Sequence, residues 1–414
     1  MSPEDYILPG MPNLHSHAFQ RAMAGQVERA TGNKDDFWSW REKMYDYANR
    51  ITPDQLQAIT AQVFMEMLKS GYTSVAEFHY LHHTGQRQPG VPSTEMADAV
   101  IAAAEETGIG LTLLPVLYMT ADFDRPQPLP EQARFVNDMD GFLSLFARLR
   151  DRQDDNVKTG VAFHSLRAVP ERSLLEVLRI LTEEDIDCPI HIHIAETRKE
   201  VEACTGFYGL PPVRWLFENV DIDRRWCLVH ATHLTGWEVN KLSMSDCVAG
   251  LCPTTEANLG DGIFRFGDFL TGNGKFGIGS DSNISVSPVE ELRWLEYGQR
   301  LVTNRRNISA TGAEPHVGKF LWDNAASGGT RALGRNHYNP GAEDSPDLIV
   351  LDGDHPLLYG KPAQDIIDSF VFSGNDNLVK NVKAGGQWVV RDGVHVNEQE
   401  ISTRYKKTIK ELNH

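Results

Sequence analysis

The feature that most constrains the fold of this chain is a repeated alternation of short apolar strands with helical stretches. Eight strands are predicted, beginning near Leu8, Tyr72, Leu111, Thr159, Pro189, Trp226, Cys247 and Phe276. Short apolar strands between helices are typical of parallel pairing, and eight such units favour an α/β fold, a closed (β/α)8 barrel of the TIM type. A doubly wound open sheet is the structural alternative, but no glycine-rich phosphate fingerprint follows the first strand.

The region between the first two strands carries two further signals. Thr52 and Pro53 predict the start of a helix, as N-cap and first helical residue, and this helix runs to Gly71. The long segment before it, Ala18 to Arg50, has the length of a functional loop or lid. We therefore expect part of the active-site cover to come from this segment.

Beyond about residue 345 the sequence indicates a small β-rich appendage. Strands are predicted at Asp347–Leu351 and Ile366–Phe372, a hairpin around Gly385 and Gly386, and a charged helix at Glu398–Leu412. The predicted domains are the barrel at residues 1–344, part of a small β-sandwich at 345–396, and a helical tail at 397–414.

The net charge of −17 argues against nucleic acid and membrane partners, because both require basic patches. No apolar run approaches the roughly 20 residues that span a bilayer, and the first residues lack the basic and apolar regions of a signal peptide. We therefore expect a cytoplasmic protein, and a homodimer as the commonest soluble assembly. The scattered cysteines are expected to be buried and reduced: Cys188, Cys204, Cys227, Cys247 and Cys252.

A pair of histidines near the start of the chain, His15 and His17, suggests a metal site. Alternate residues of a strand share a face, so both imidazoles can point at one ion, and neutral imidazole binds zinc and similar metals. Barrel enzymes place their chemistry at the carboxyl ends of the strands. The predicted ends carry His15, His17, the run from Glu77 to Tyr80, His164, His193, His230 and Asp281.

A catalytic zinc typically has about three protein ligands of the His or carboxylate type and keeps one position open for water. His15, His17, Asp281 and one histidine of the fifth strand would fill that role. His191 and His193 share a strand face, so spacing does not choose between them. Glu196 lies just after the strand and favours His193, because it could shuttle protons beside a metal bound there. A site of this composition also accepts iron or manganese.

The pattern His15-x-His17, His193-x-x-Glu196, His230 and Asp281 resembles the amidohydrolase superfamily in its mononuclear-metal deaminase branch. The sequence pattern from Val382 to Gly393 is similar to that of the small β-sandwich of that superfamily. The resemblance implies one Zn²⁺ per subunit. It also implies that the metal ligands are His15, His17, His193 and Asp281. Proton-handling roles are implied for Glu196, His230 and Asp281, and the choice between His230 and Asp281 as the first base stays open.

Several stretches resemble the members of that branch that hydrolyse the formimino group of N-formimino-L-glutamate in histidine degradation. They are residues 11–25, 37–41, 77–80, 164–167 and 255–262. The resemblance implies release of ammonia and N-formyl-L-glutamate. A small dicarboxylate substrate requires planar cationic donors, which arginine supplies. The implied substrate-holding residues are Gln20, Arg41, Tyr80, His164 and Arg167.

Two departures from the family pattern are noted. Members usually carry several dozen residues before the first barrel strand, so the N-terminal part of the sandwich is expected to be missing. Asn283 stands where relatives often have histidine. The alternatives are a deaminase of an aminated heterocycle such as guanine or a triazine, and an inactive metal-binding paralogue. The complete ligand set with Glu196 and His230 argues against an inactive protein, because a structural site needs no open position.

Overall fold

The computed structural model describes residues 5–29, 37–85, 93–184, 186–335 and 345–413. Its strands are β1 Tyr6–Pro9, β2 Met11–Ser16, β3 Tyr72–His79, β4 Gly110–Leu117, β5 Val157–Thr159, β6 Val161–Phe163, β7 Ile190–Ile194, β8 Trp226–His230, β9 Val248–Leu251, β10 Lys275–Ile278, β11 Leu348–Leu351, β12 Val379–Ala384, β13 Gln387–Arg391 and β14 Val394–His395.

The helices are α1 Phe37–Ala48, α2 Pro53–Ser70, α3 Glu95–Thr107, α4 Met139–Arg150, α5 Glu171–Glu183, α6 Arg198–Tyr208, α7 Pro212–Asn219, α8 Gly236–Ser243, α9 Pro253–Leu259, α10 Phe266–Leu270, α11 Pro288–Thr303, α12 Val317–Ala332, α13 Ile366–Phe372 and α14 Glu398–Leu412. Within the described ranges, no helix is both long and apolar enough to cross a bilayer.

Eight parallel strands form the barrel in the order β10, β9, β8, β7, β6, β4, β3, β2, and the short β5 pairs beside β4. The ring is completed where Ser16 bridges Asp281. Here His17 N donates to Asp281 O at 2.8 Å and Asp281 N donates to His15 O at 2.9 Å. The predicted (β/α)8 barrel is therefore confirmed, and the open-sheet alternative is wrong.

The start and end of α2 show how local sequence fixes a barrel helix. Thr52 accepts from Gln55 N while the Gln55 side chain accepts from Thr52 N, a capping box with Pro53 in the first turn. Gly71 ends the helix at φ 110°, a left-handed conformation that favours glycine. Both ends agree with the prediction from sequence.

Helix α12 packs against the barrel through residues without side chains. A Cβ on Gly328 would lie 1.8 Å from the carbonyl oxygen of Phe276 in β10. The indole of Trp322 on the same helix donates to Pro9 O at 3.2 Å. A Cβ on Gly329 would lie 3.0 Å from the Pro12 side chain in β2. The helix therefore braces β2 and β10, the two strands that lead to His15, His17 and Asp281.

The appendage is an antiparallel sheet in the order β1, β11, β12, β13, β14. Strand β1 comes from the start of the chain and pairs with β11, so this sheet combines two distant segments. The hairpin around Gly385 and Gly386 is confirmed, with both glycines at positive φ. The predicted domain boundaries stay predictions.

Three expectations about local structure are wrong. Residues 366–372 form helix α13 rather than a strand, and they bury Ile366, Ser369 and Phe370, a helical spacing that a short apolar run does not reveal. The presumed loop before α2 contains a 3-10 turn at Ala18–Met23 and helix α1. The sequence between the strands that begin near Leu111 and Thr159 also predicts a helix near residues 130–150, but this helix begins only at Met139, where the Asp138 side chain caps it.

Candidate active site at the carboxyl ends of the barrel strands

Four side chains from β2, β7 and the turn after β10 bring their ligand atoms together. His15 Nε2 lies 3.2 Å from His17 Nε2 and 2.9 Å from His193 Nε2. Asp281 Oδ1 lies 3.3 Å from Nε2 of both His15 and His17. We call this the donor cluster. It contains His193, whereas His191 on the same strand contacts Ala332 O at 2.8 Å through its Nε2.

The backbone orients two of the three imidazoles. His17 Nδ1 lies 3.0 Å from Phe78 O, and His193 Nδ1 lies 3.0 Å from His164 O. A carbonyl oxygen can only accept, so Nδ1 carries the proton and Nε2 presents its lone pair to the cluster. This is the arrangement in which histidine binds a metal ion.

The donor set fits a divalent metal ion. Burial lowers the pKa of His15 to about 3 and lowers the pKa values of His17 and His193, so all three imidazoles are neutral. Burial by itself would raise the pKa of Asp281, but the hydrogen bond to His15 and the charge of His230 lower it. Converging lone pairs and a carboxylate repel one another unless a cation lies between them.

The backbone leaves the barrel strands in an unusual conformation at this site. His230 has φ 70°, Asp281 has φ 46°, and Ala195 after β7 has φ 51°. Left-handed backbone is costly for residues other than glycine, and such conformations cluster at functional sites. The turns that aim these side chains are therefore held by the surrounding barrel.

His230 is surrounded by three carboxylates. Its Nε2 lies 3.8 Å from Glu196 Oε1 and 3.9 Å from Asp281 Oδ2, and its Nδ1 lies 3.3 Å from Glu256 Oε1. Burial by itself would lower the pKa of His230, but these acidic neighbours outweigh burial and raise it to about 10. Burial raises the pKa of Glu196 to about 7. A carboxyl group that titrates near neutral pH can both accept and donate a proton.

Asn283 takes part in the network behind the donor cluster. Its Nδ2 donates to Ser16 Oγ at 3.2 Å and to Asp281 O at 3.1 Å, and its Oδ1 accepts from Ser280 Oγ at 2.7 Å. The amide therefore links the β2 end to the turn that carries Asp281, at the position where a histidine was expected from the family pattern.

The predicted substrate residues share one cavity with the donor cluster. The cavity wall includes every predicted site residue except His15, which is fully buried behind it. Gln20 Nε2 donates to the Tyr80 hydroxyl at 2.7 Å, and Arg167 Nη1 donates to Ala121 O at 2.9 Å. Further residues of the wall are Trp40, Met44, Tyr45, Tyr118, Phe135 and Thr255.

The two arginines of the cavity lower the pKa of His164. Burial and the charges of Arg167 and Arg41 hold the pKa of His164 well below its usual value, so the imidazole is neutral. Its Nδ1 lies 3.1 Å from Ser165 Oγ. Arg41 donates from Nε to the Tyr45 hydroxyl at 2.5 Å. One wall of the cavity is thus cationic, whereas the donor cluster is anionic or neutral.

Sequence reasoning missed three residues of the site. Tyr118 directly follows β4 and Glu256 lies in the first turn of α9 after β9, so the strand-end criterion could have found both. Tyr45 lies one helical turn after Arg41, a spacing that has meaning only once α1 is known to be a helix.

Glu77 on β3 had no predicted role beyond its place near a strand end. Its Oε1 accepts from Ala18 N at 2.7 Å, which fixes the turn directly after His17. Burial raises the pKa of Glu77 to about 8.

The amidohydrolase family model matches residues 6–389, and the chain belongs to that family. It is 47% identical over 407 residues to the formimidoylglutamate deiminase of Pseudomonas aeruginosa, covering 98% of this chain and 89% of that protein. The crystal structure of an amidohydrolase from Brucella melitensis superposes with a TM-score of 0.92 at 42% identity, covering 99% of this chain and 90% of that chain.

A more distant structure shares the fold alone. The atrazine chlorohydrolase TrzN from Arthrobacter aurescens, complexed with zinc, superposes with a TM-score of 0.81 at 20% identity. The match covers 97% of this chain and 88% of that chain.

Proposed function

We propose that the protein hydrolyses N-formimino-L-glutamate to N-formyl-L-glutamate and ammonia. The observation that carries this proposal is the presence of the donor cluster and two arginines, Arg41 and Arg167, in one cavity. A hydrolytic centre suits a carbon–nitrogen double bond, and two guanidinium groups suit a dicarboxylate. The Pseudomonas aeruginosa relative, named for this activity, supports the same substrate.

His15, His17, His193 and Asp281 are the proposed ligands of one zinc ion per subunit, and iron(II) or manganese(II) would also suit them. The zinc in the atrazine chlorohydrolase structure supports this choice. When bound, such an ion lowers the pKa of a coordinated water toward neutrality and so supplies hydroxide at physiological pH.

Glu196, His230 and Asp281 handle the protons of the reaction. Water adds to the formimino carbon, and its proton passes to Asp281 or to the neutral form of His230, whose Oδ2 and Nε2 lie 3.9 Å apart. Glu196 delivers a proton to the imino nitrogen. Glu196, now ionised, takes the hydroxyl proton of the tetrahedral adduct and passes it to the same nitrogen. The carbon–nitrogen bond then breaks, ammonia leaves N-formyl-L-glutamate behind, and the proton first taken from water returns to Glu196.

Gln20, Arg41, Tyr80, His164 and Arg167 hold the substrate. The arginines pair with its carboxylates in the bidentate geometry that guanidinium allows. The Gln20 amide, the Tyr80 phenol and the neutral His164 imidazole orient the formimino group by hydrogen bonds. In the cell, the protein is proposed to act in histidine degradation as a cytoplasmic homodimer, and its buried free cysteines suit a reducing compartment.

The test is ammonia release by purified, zinc-loaded protein. N-formimino-L-glutamate should be deiminated, while guanine and an aminotriazine should not, and a chelator should abolish the activity until zinc is restored. A folded, loaded protein that releases no ammonia from N-formimino-L-glutamate contradicts the proposal. Release from guanine or the triazine instead would identify a heterocycle deaminase, and release from none would identify an inactive paralogue.

A further inference from the structure

Two phenol hydroxyls of the cavity wall have both lone pairs occupied by protein donors. The Tyr45 hydroxyl accepts from Arg41 Nε at 2.5 Å and from Gln132 Nε2 at 3.1 Å. The Tyr118 hydroxyl accepts from Gln132 Nε2 at 2.8 Å and from Arg41 Nη2 at 3.3 Å. A phenol has one proton and two acceptor positions, so each hydroxyl still has its proton to donate.

The direction of these hydrogen bonds is fixed by Gln132. Its Oε1 accepts from Leu129 N at 2.7 Å, so its NH₂ group faces the two phenols. Gln132 is fully buried, which excludes exchange of these contacts with bulk water. Burial and the neighbouring Tyr118 raise the pKa of Tyr45 to about 12, so this phenol keeps its proton. Within the described residues, neither hydroxyl donates to a protein acceptor.

We propose that Tyr45 and Tyr118 donate their protons to the side-chain carboxylate of the substrate, an inference that rests on the proposed function. The Tyr118 ring lies 4.5 Å from the His164 ring, which lies 5.1 Å from the ring of His193 in the donor cluster. The phenols are thus set back from the reacting end of the cavity. In N-formimino-L-glutamate the side-chain carboxylate is the one farther from the formimino carbon.

The experiment compares Tyr45→Phe and Tyr118→Phe with the unsubstituted protein. Each substitution should raise KM for N-formimino-L-glutamate about tenfold, because the charged carboxylate loses one hydrogen-bond donor. The change in kcat should be less than about threefold. Inhibition by N-formyl-L-glutamine, which lacks the side-chain charge, should change much less. Tyr72→Phe is the matched control, because the Tyr72 hydroxyl is buried without a hydrogen-bond partner and lies outside the cavity.

An unchanged KM in both variants, or an equal weakening of N-formyl-L-glutamine, overturns the inference while leaving the deiminase activity intact. Absence of deimination by the unsubstituted protein overturns the proposed function instead.

Discussion

The two ends of the cavity are built by different means. The inner end lies on strand ends and strand-to-helix turns and consists of His15, His17, His193, His230 and Asp281. The outer end lies on α1 and on the loops after β4 and β6 and consists of Arg41, Tyr45, Tyr118 and Arg167. Backbone carbonyls orient two inner imidazoles, whereas side chains from different elements orient the outer phenols. The barrel therefore fixes the reaction, and the connecting segments can vary the substrate.

The largest expected effect is at the inner end. Glu196→Gln keeps the shape of the side chain but removes the titrating carboxyl group, so kcat should fall about 10³-fold. The zinc content, measured by mass spectrometry, should stay at one ion per chain because Glu196 is not a proposed ligand. Residual activity within tenfold of the unsubstituted protein would show that another group carries the proton.

The next expected effect is at the carboxylate behind His230. Glu256→Ala removes the acceptor beside His230 Nδ1, and kcat should fall about 10- to 100-fold with little change in KM. Glu256→Gln keeps an acceptor oxygen and should recover most of that loss. Equal defects in the two variants would indicate that the charge of Glu256 matters rather than its position.

At the outer end, substitutions should weaken binding more than chemistry. Arg167→Ala should raise KM for N-formimino-L-glutamate about 10- to 100-fold with a smaller change in kcat, because a paired carboxylate loses its guanidinium. Arg172→Ala is the control, since Arg172 is exposed on α5 outside this cavity. A fall in kcat without a change in KM would remove the distinction between the two ends.

The smallest expected effect concerns Glu77 and the pH dependence of stability in the metal-free protein. Burial raises its pKa in the folded chain to about 8 from the ordinary value of 4.5, so the folded state binds more protons between these pH values. The contribution of Glu77 to stability should therefore be fully present below about pH 4.5 and be lost as the pH rises through about 8. In Glu77→Gln, urea unfolding should show this slope reduced by up to about 1.4 kcal/mol per pH unit. An unchanged slope would mean that Glu77 is ionised in the folded protein.

Side chains that lie at strand ends could be predicted from sequence to meet, while their roles as ligands stay predictions. His15, His17, His193 and Asp281 could be found together because parallel barrel strands bring their carboxyl ends to one rim. Choosing His193 over His191 depended on Glu196, and the structure shows a different reason, since His191 is turned to the carbonyl of Ala332.

The outer end was less predictable because its geometry depends on contacts between elements. Tyr45 contacts Arg41 only because residues 37–48 form a helix, and Gln132 reaches both phenols from a turn that the sequence did not indicate. The same limit applies to residues 366–372, whose apolar run suits either a strand or a helix until its packing is known.

The closure of the barrel between β2 and the turn after β10 also imposes an order of events on folding. Asn13 donates to Ser280 Oγ across 267 positions of the chain, beside the residues that complete the ring. During synthesis, His15 and His17 emerge long before Asp281, so metal capture by the full donor cluster has to wait for the last strand. Such distant contacts form slowly. Before these contacts exist, the edges of β2 and β10 stay unpaired. Metal uptake by a refolding chain should therefore report barrel closure, and its rate should be that of the slowest folding phase.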